Sequence, residues 1–432
     1  LYKKDMKMLD LKYILNNKNY IIKKLSTRNY DISNIEKIVK LIEKRNQLIF
    51  KLEKLLAKKN ELSQEIGIQK RNKKNPEKLI NEVNLLKEEI DKIELKADKS
   101  INKVNELVLQ IPNIPYDDVP IGHSDLDNVV IKEHATLGRG LVKNVEPHYD
   151  IATKLDIIDF SRAVKLAQTR FVLYKKEGAA LIRALENFML DTHIKNGYEE
   201  IMPPHIVNSK MLYGTGQLPK FKEDLFKLEG NDLWLIPTAE VPVTNYHYDE
   251  ILDLSKPKKY VAYTKCFRSE AGSGGRDTRG IIRQHEFHKV ELVKVVKQEE
   301  GMTEWEKMVN DAKNILELLE IPYREVMLST GDIGFSSAKT IDLELWIPSE
   351  EKYRETSSIS ICNDFQARRA KIRYRNDEGK TTYAFTMNGS GLAIDRVMAA
   401  ILENYQNSDG SISIPKVLIP YMNGLEKIEI KG

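Results

Sequence analysis

The chain has 432 residues, of which 41% are hydrophobic and 31% charged. That mix excludes a disordered chain, which has too little apolar surface to bury, and a membrane-embedded one, which has no place for so many charges. The formal net charge is only +4, yet residues 37–78 hold thirteen Lys and Arg against five Glu, so this segment is +8 and the remainder sums to −4. A local basic stripe suits a polyanionic partner, above all nucleic acid; a solvated lysine-rich helix face explains the charge alone equally well.

About 150 residues per domain predicts two or three domains. No stretch reaches the roughly 18 uninterrupted apolar residues that cross a bilayer. Leu1 to Lys24 alternates Lys, Asp and Asn with single apolar residues, unlike the apolar block of a signal peptide. Cys266 and Cys362 are too few for a disulfide framework or a four-cysteine metal site, which predicts a reducing, cytoplasmic setting.

Heptads dominate the first hundred residues. Leu41, Leu48, Leu55 and Leu62 are seven apart, and Ile38, Leu52 and Ile66 form a second seam interrupted by Arg45 and Lys59. The pattern resumes as Leu79, Leu86 and Ile93 interleaved with Val83, Ile90, Ala97 and Val104. Gly67 to Pro76, polar and basic, separates the two runs. This predicts an antiparallel coiled-coil hairpin over about 34–104, with helices of about 28 residues and an arm roughly 40 Å long. Dimerisation is the competing use of such heptads. Two prolines in Gln110-Ile-Pro-Asn-Ile-Pro115 stop helix propagation and divide the chain into 1–110 and 111–432.

Beyond residue 116 the heptads vanish. A helix is expected over about 161–196, ending at Asn196-Gly197. Runs rich in Val, Ile, Tyr and Phe at 233–236, 259–270, 281–295, 340–347, 355–362 and 381–388 read as strands; helices are expected at 303–320, 364–374 and 391–406. Strands without regular crossover helices predict an α+β fold, an antiparallel β-sheet flanked by helices.

The sharpest chemical segment runs from Tyr263 to Glu291. Two β-rich runs flank a loop, 271–280, with four glycines, two arginines and an Asp. No Gly-Lys-Ser/Thr follows, so it is not a P-loop. Alternation puts Cys266, Arg268 and Glu270 on one face and Arg283, His285, Phe287, Lys289 and Glu291 on one face of the return run. Arginine forks, a ring and carboxylates together suit a nucleotide; a salt-bridged exposed hairpin is the plainer alternative. His285 and His288, three apart, fall on opposite faces, against a zinc site. Before this segment, Thr238 and Glu240 share one side of an extended stretch. Glu355-Thr-Ser-Ser358 offers hard oxygen ligands of the kind Mg²⁺ takes. Thr386 to Arg396 reads as a strand entering a helix, with Gly389 and Gly391 permitting close backbone approach.

These segments together resemble the seryl-tRNA synthetase family, of the bacterial or organellar type, within the class II aminoacyl-tRNA synthetases. Lys195 to Pro204 resembles class II motif 1, Phe267 to Phe287 motif 2, and Asn388 to Arg396 motif 3. Gly214 to Phe221, Thr238-Ala-Glu240 and Asp364 to Arg369 are closer to the seryl branch, and the likeness runs from about Met8 onward.

The resemblance implies an ATP-dependent serine–tRNA ligase, with Arg268, Glu355 and Arg396 as the catalytic set. It implies an ATP site of Arg268, Ser269, Glu270, Arg283, Gln284, Phe287, Glu355, Thr356, Ser357, Ser358 and Arg396. Phe287 would stack on adenine, and Glu355 and Ser358 would carry Mg²⁺. Serine would meet Thr238, Ala239, Glu240, Arg268, Glu291 and Ser390. Lys44, Arg45, Lys51, Lys54, Lys58, Lys70, Arg71, Lys73 and Lys74 would grip tRNA(Ser), with tRNA(Sec) a further candidate, and Pro204 would lie at a homodimer interface. Residues 1–7 precede the usual family start at Met8. Asp395 replaces a small residue beside Arg396; consecutive helix positions do not face each other, so little damage is expected beyond weaker ATP binding. Two other readings compete: an enzyme that loads an activated amino acid onto a carrier protein, and a coiled-coil nucleic-acid-binding protein whose body is a scaffold.

Overall fold

The computed structural model describes residues 11–272, 274–275 and 277–430; the Met8 start lies outside them. Contacts divide the chain into two compact units, Leu1–Ile111 and Pro112–Gly432.

In the first unit, α1 (Leu11–Asn16) and α2 (Lys18–Leu25) precede the long helices α3 (Ser33–Arg71) and α4 (Glu77–Val108). Ile14, Ile21 and Leu25 are sealed from solvent, as are Ile35, Ile38 and Ile42 at the start of α3. Further along, Leu52, Ile90 and Ile93 form a small core with Leu55 and Leu56 against it. Lys51 pairs with Glu89 at 2.9 Å and Lys58 with Glu82 at 2.7 Å, as an antiparallel register requires. The connection is shorter than the sequence predicts, because α3 runs through Gly67 to Arg71. One helical glycine costs about 1 kcal/mol, too little to end a helix held by its neighbour. The stop comes later: Lys73 takes a left-handed φ of +56°, and the Lys74 amide donates back to the Gln69 carbonyl at 3.0 Å, closing the end of α3. With 39 and 32 residues, the helices are about 58 and 48 Å long rather than 40 Å.

The second unit is built on an eight-stranded sheet. Its strands are β1 (Val129–His134), β2 (Glu199–Glu200), β3 (Lys258–Phe267), β4 (Glu286–Val296), β5 (Tyr323–Met327), β6 (Lys339–Ile347), β7 (Lys352–Asn363) and β8 (Phe385–Ala393). The order across the sheet is β1-β5-β6-β7-β8-β4-β3-β2. Every neighbouring pair is antiparallel except β2 with β3. Shorter helices follow the chain: α5 (His148–Lys154), α6 (Phe160–Leu166), α7 (Lys176–Lys195), α8 (Ser209–Thr215), α9 (Glu240–Thr244), α10 (Gly301–Leu318), α11 (Phe365–Ala370) and α12 (Ile394–Asn404). The main core joins Leu181, Leu185 and Met189 of α7, Met308 and Ile315 of α10 and Val397 and Ile401 of α12 to Leu292, Leu343 and Ile359 of the sheet. This is the α+β architecture expected.

Three boundaries differ from the sequence reading. The helix expected over 161–196 is two, α6 and α7, because Tyr174 bridges back to Ile158 and the Lys175 amide donates to Ile157. β3 ends at Phe267, and the return strand begins at Glu286 rather than 281. Thr238 and Glu240 do not lie on an extended run: Glu240 opens α9, and its amide donates to the Thr238 hydroxyl at 3.2 Å.

Candidate active site

The floor of the site is one stretch of sheet. In β3 and β4, Cys266 faces Phe287 and Ala262 faces Glu291, while Ser390 of β8 flanks Glu291 from the other side. Period-two alternation therefore carries Phe287, Lys289 and Glu291 onto one surface. Gly389 lets β8 lie tight on β7, since a Cβ there would stand 2.7 Å from the Ile359 side chain. Above this floor is a cavity of about 260 Å³.

Thirteen of the residues singled out from sequence line that cavity: Thr238, Glu240, Arg268, Glu270, Arg283, Gln284, Phe287, Glu291, Glu355, Thr356, Ser358, Ser390 and Arg396. They arrive from six segments spread over about 160 positions. The Arg268 guanidinium lies 5.1 Å from the centre of the Phe287 ring, and its Nε donates to the Pro237 carbonyl at 3.2 Å. Arg396 donates from Nε to the Ile282 carbonyl at 3.1 Å and from Nη1 to the Glu355 carbonyl at 2.5 Å. Arg283 is tied to Glu270 at 2.7 Å.

Three expected residues stand elsewhere. Ala239 is wholly buried in a cluster with Val243, Tyr260, Ala262 and Val293, so no side-chain atom of it reaches the cavity. Ser357 is buried on the other face of β7, donating to the Ser390 carbonyl at 2.5 Å. The Ser269 hydroxyl turns away to the Glu223 carbonyl, also at 2.5 Å. His285, read as facing the same way as Phe287, lies before the strand and packs between Phe171 and Phe226.

One end of the cavity is a dense polar network. Glu240 accepts from Gln366 at 2.6 Å and Asn388 at 3.0 Å, with Gln217 at 3.4 Å. Burial, then the nearby Glu291 charge, push its carboxyl up to about 7. Lys289 pairs with Glu291 at 2.5 Å and donates to the Thr238 hydroxyl at 2.8 Å. Alternation had placed Lys289 on this face without giving it a role, and Gln366 lies inside the Asp364–Arg369 segment singled out from sequence. Gly334, Ser336 and Ser337 also line the cavity, from a loop whose sequence carries no signal.

The other end is acidic. Glu355 stands opposite Glu344, and Ser358 opposite Asp342, across β6 and β7. Asp342 is held well above the usual carboxylate range by burial and by the Glu355 charge, and its Oδ1 is buried without a hydrogen-bond partner. Among the described residues, no group of three or more His, Cys, Asp or Glu is arranged to hold a metal by itself.

Asp395 differs most from expectation. Rather than an idle neighbour of Arg396, it is a buried hub: the Tyr174 hydroxyl donates to it, as does the His288 amide at 2.6 Å, and the His288 ring lies 3.2 Å away. Burial alone would raise its carboxyl, but the His288 charge and these bonds outweigh it and hold the group below its ordinary value. Asp395 thus fastens the start of α12, and with it Arg396, to β4.

The cations expected from the sequence to grip tRNA lie in the first unit. Lys44, Lys51, Lys54, Lys58, Lys70, Arg71, Lys73 and Lys74 are exposed, and Arg45 is half-buried. The charge is lopsided: α3 holds ten Lys and Arg against five Glu, whereas α4 holds six Lys against eight acids. Pro204 is exposed, just beyond β2, and the nearby Met202 is 85% exposed.

A family model described as the seryl-tRNA synthetase N-terminal domain matches residues 8–115. Another, the tRNA synthetase class II core domain (G, H, P, S and T), matches 221–405. A serine–tRNA ligase of Metamycoplasma arthritidis is 76% identical over 98% of this chain and all of its own length. One of Mycoplasma mobile is 60% identical over the same shares. The seryl-tRNA synthetase of Pyrococcus horikoshii, solved in complex with ATP, superposes with a TM-score of 0.91 at 34% identity, covering 98% of this chain and 100% of that one. The cytoplasmic serine–tRNA ligase of Naegleria fowleri, solved with AMP, gives a TM-score of 0.87 at 26% identity, covering 99% and 100%. On these likenesses and this fold, the chain belongs to the seryl-tRNA synthetase family of class II aminoacyl-tRNA synthetases.

Proposed function

We propose that the chain acts as a serine–tRNA ligase, and that its cavity carries the first step. The serine carboxylate attacks the α-phosphorus of ATP and pyrophosphate leaves. The terminal ribose hydroxyl of tRNA(Ser) then attacks the carbonyl of the seryl-adenylate, releasing AMP. The observation that carries this reading is the convergence of Arg268, Phe287, Glu355 and Arg396, distant in sequence, on one cavity beside a buried carboxylate pair.

Two anions meet in the first step, so cations must offset their repulsion as charge develops. Arg268, beside the Phe287 ring and close enough for its charge to act on Glu240, is assigned to the α-phosphate and the serine carboxylate. Arg396 and Phe287 are assigned to opposite sides of the adenosine, with Gln284 at the base and Arg283 and Glu270 at the phosphates. No protein nucleophile or general base is needed; holding the two reactants in line supplies much of the rate.

Serine's ammonium and hydroxyl need partners of their own. Glu240, Glu291, Thr238 and Ser390 offer them, and the amides of Gln366 and Asn388 hold Glu240 in one orientation. A site built to bond a hydroxyl rejects alanine, because its own polar groups would be left unpaired. Threonine must be excluded by shape.

Mg²⁺ fits the acidic end. Glu355 and Ser358 would hold it, next to the unpartnered Asp342 Oδ1. One or two protein ligands suffice, because this ion keeps waters and takes the remaining oxygens from substrate phosphates. When bound it would neutralise phosphate charge.

The basic face of α3, with the Lys70–Lys74 turn, is assigned to the tRNA backbone; tRNA(Sec) is a second substrate to try. The exposed Pro204 and Met202 beside β2 are assigned to a homodimer contact. The division into a tRNA-binding unit over 1–110 and a catalytic unit over 111–432 completes the proposal. ATP–pyrophosphate exchange measured with each of the twenty amino acids tests it: exchange should require serine. Exchange driven by another amino acid, or none with any, would refute the substrate assignment.

A further inference from the structure

Outside the groups assigned above, the most enclosed titratable contact is that of His148 with Glu403, 2% and 0% exposed. His148 opens α5, and Glu403 lies on α12, two turns beyond Arg396. Glu403 Oε1 accepts from the His148 amide at 2.9 Å and from the ring Nδ1 at 2.7 Å, while Oε2 accepts from the Ser349 amide at 2.8 Å. On the far side of the ring, Nε2 lies 3.2 Å from the Ile281 amide nitrogen. A backbone N–H can only donate, so Nε2 is an acceptor and the ring's proton sits on Nδ1, facing the carboxylate.

Ile281 belongs to the wall of the nucleotide cavity. Its carbonyl accepts from the Gln284 side chain at 3.0 Å, and the next carbonyl, of Ile282, accepts from Arg396 Nε at 3.1 Å. The segment before it is gripped by the same helix. Gly280, at φ +81°, has no room for a Cβ, which would stand 2.2 Å from His148 Nε2. The Arg279 guanidinium lies 4.4 Å from the centre of the Tyr149 ring and 3.3 Å from Asp150.

We propose that His148, its tautomer set by Glu403, is a positioning residue that holds the Ile281–Gln284 wall at the spacing adenosine needs between Phe287 and Arg396. Its carboxylate partner rides on the helix that carries Arg396, so one hydrogen-bonded chain ties that helix to the Ile281 wall. The inference rests on the ATP reading of the cavity.

Two substitutions separate positioning from packing. His148→Asn keeps a donor near Nδ1 but leaves nothing at Nε2; His148→Gln puts an oxygen where Nε2 was. In serine-dependent pyrophosphate exchange, Asn should raise the KM for ATP roughly tenfold, the effect of losing one buried hydrogen bond. Gln should stay within about twofold of wild type, and the KM for serine should not move in either. An unchanged ATP KM in the Asn variant, or a serine KM rising in step, would overturn the assignment. If the Asn variant does not fold, ¹⁵N NMR of histidine-labelled wild-type protein decides: His148 protonated at Nδ1 supports the inference, and a proton on Nε2 defeats it. Failure of the ATP reading itself would look different, as wild-type protein without serine-dependent exchange.

Discussion

In the helical unit a residue's partner follows from its place in a repeat, whereas in the sheet unit the partners that matter come from far along the chain. Leu52 meets Ile90 and Ile93 because two heptad helices fold back on each other, and Lys51 with Glu89 and Lys58 with Glu82 follow from the same register. Asp395, by contrast, takes its bonds from Tyr174, 221 positions away, and His288, 107 away. Trimming the first region should therefore cause local loss, while single side-chain changes in the second should cost its function.

The harshest way to break that contrast is at Arg268. Arg268→Ala should lower serine-dependent pyrophosphate exchange by about a thousandfold or more, the scale seen when a preorganised charge at the reacting centre is removed. Arg268→Lys should recover little, since an ammonium lacks the planar fork. Retained exchange would mean that the α-phosphate is held elsewhere.

The matching operation on the hairpin should leave adenylation alone. Replacing residues 46–95 by a short Gly-Ser linker keeps the sealed cluster of Ile14, Ile21, Ile35 and Ile38 but removes seven of the nine cations assigned to tRNA. Exchange should stay within about twofold, while the rate of tRNA charging at subsaturating tRNA falls by about a hundredfold, as lost phosphate contacts demand. Unimpaired charging would overturn the arm's role.

What could be read in advance divides along the same line. The hairpin was legible because its signal is a period, and its error, stopping the first helix at Gly67, came from trusting one weak residue over a helix held by its neighbour. Phe287 and Glu291 were legible because a strand alternates. Ser357 and Ala239 were carried along with their motifs, yet each turns its side chain away from the cavity. Asp395 was misjudged for a different reason: helix spacing says which positions share a face, but not which distant side chains come to meet them. The loop of Gly334, Ser336 and Ser337 had no local pattern at all.

Glu240 offers a gentler test, made with pH. Its carboxyl, ordinarily near 4.5, is raised to about 7 in the folded protein. A raised acid binds its proton more tightly when folded, so its contribution to stability is fully present below about 4.5 and is lost as pH rises through 7. As the proposed partner of serine's ammonium, Glu240 must take the opposite, ionised form. The KM for serine should therefore fall roughly tenfold between pH 6 and 8, as the ionised fraction climbs from about one eleventh to about ten elevenths. Glu240→Gln should raise that KM and flatten its pH profile. A sloping profile in the Gln variant would assign the titration to another group.

The smallest expected effect discriminates within the hairpin itself. Lys54 reaches over the Phe50 ring, 4.4 Å from its centre, whereas Lys58 already pairs with Glu82. To meet a phosphate, Lys58 must give up a carboxylate, so its net gain from tRNA is smaller. Lys54→Ala should reduce the slope of log affinity against log salt by about one, the release of a single counterion. Lys58→Ala should reduce it by less, and Glu82→Gln should restore Lys58 to the full value. Equal reductions for Lys54→Ala and Lys58→Ala, with Glu82 present or replaced, would show that tRNA reads the hairpin's net charge rather than the pairing of individual lysines.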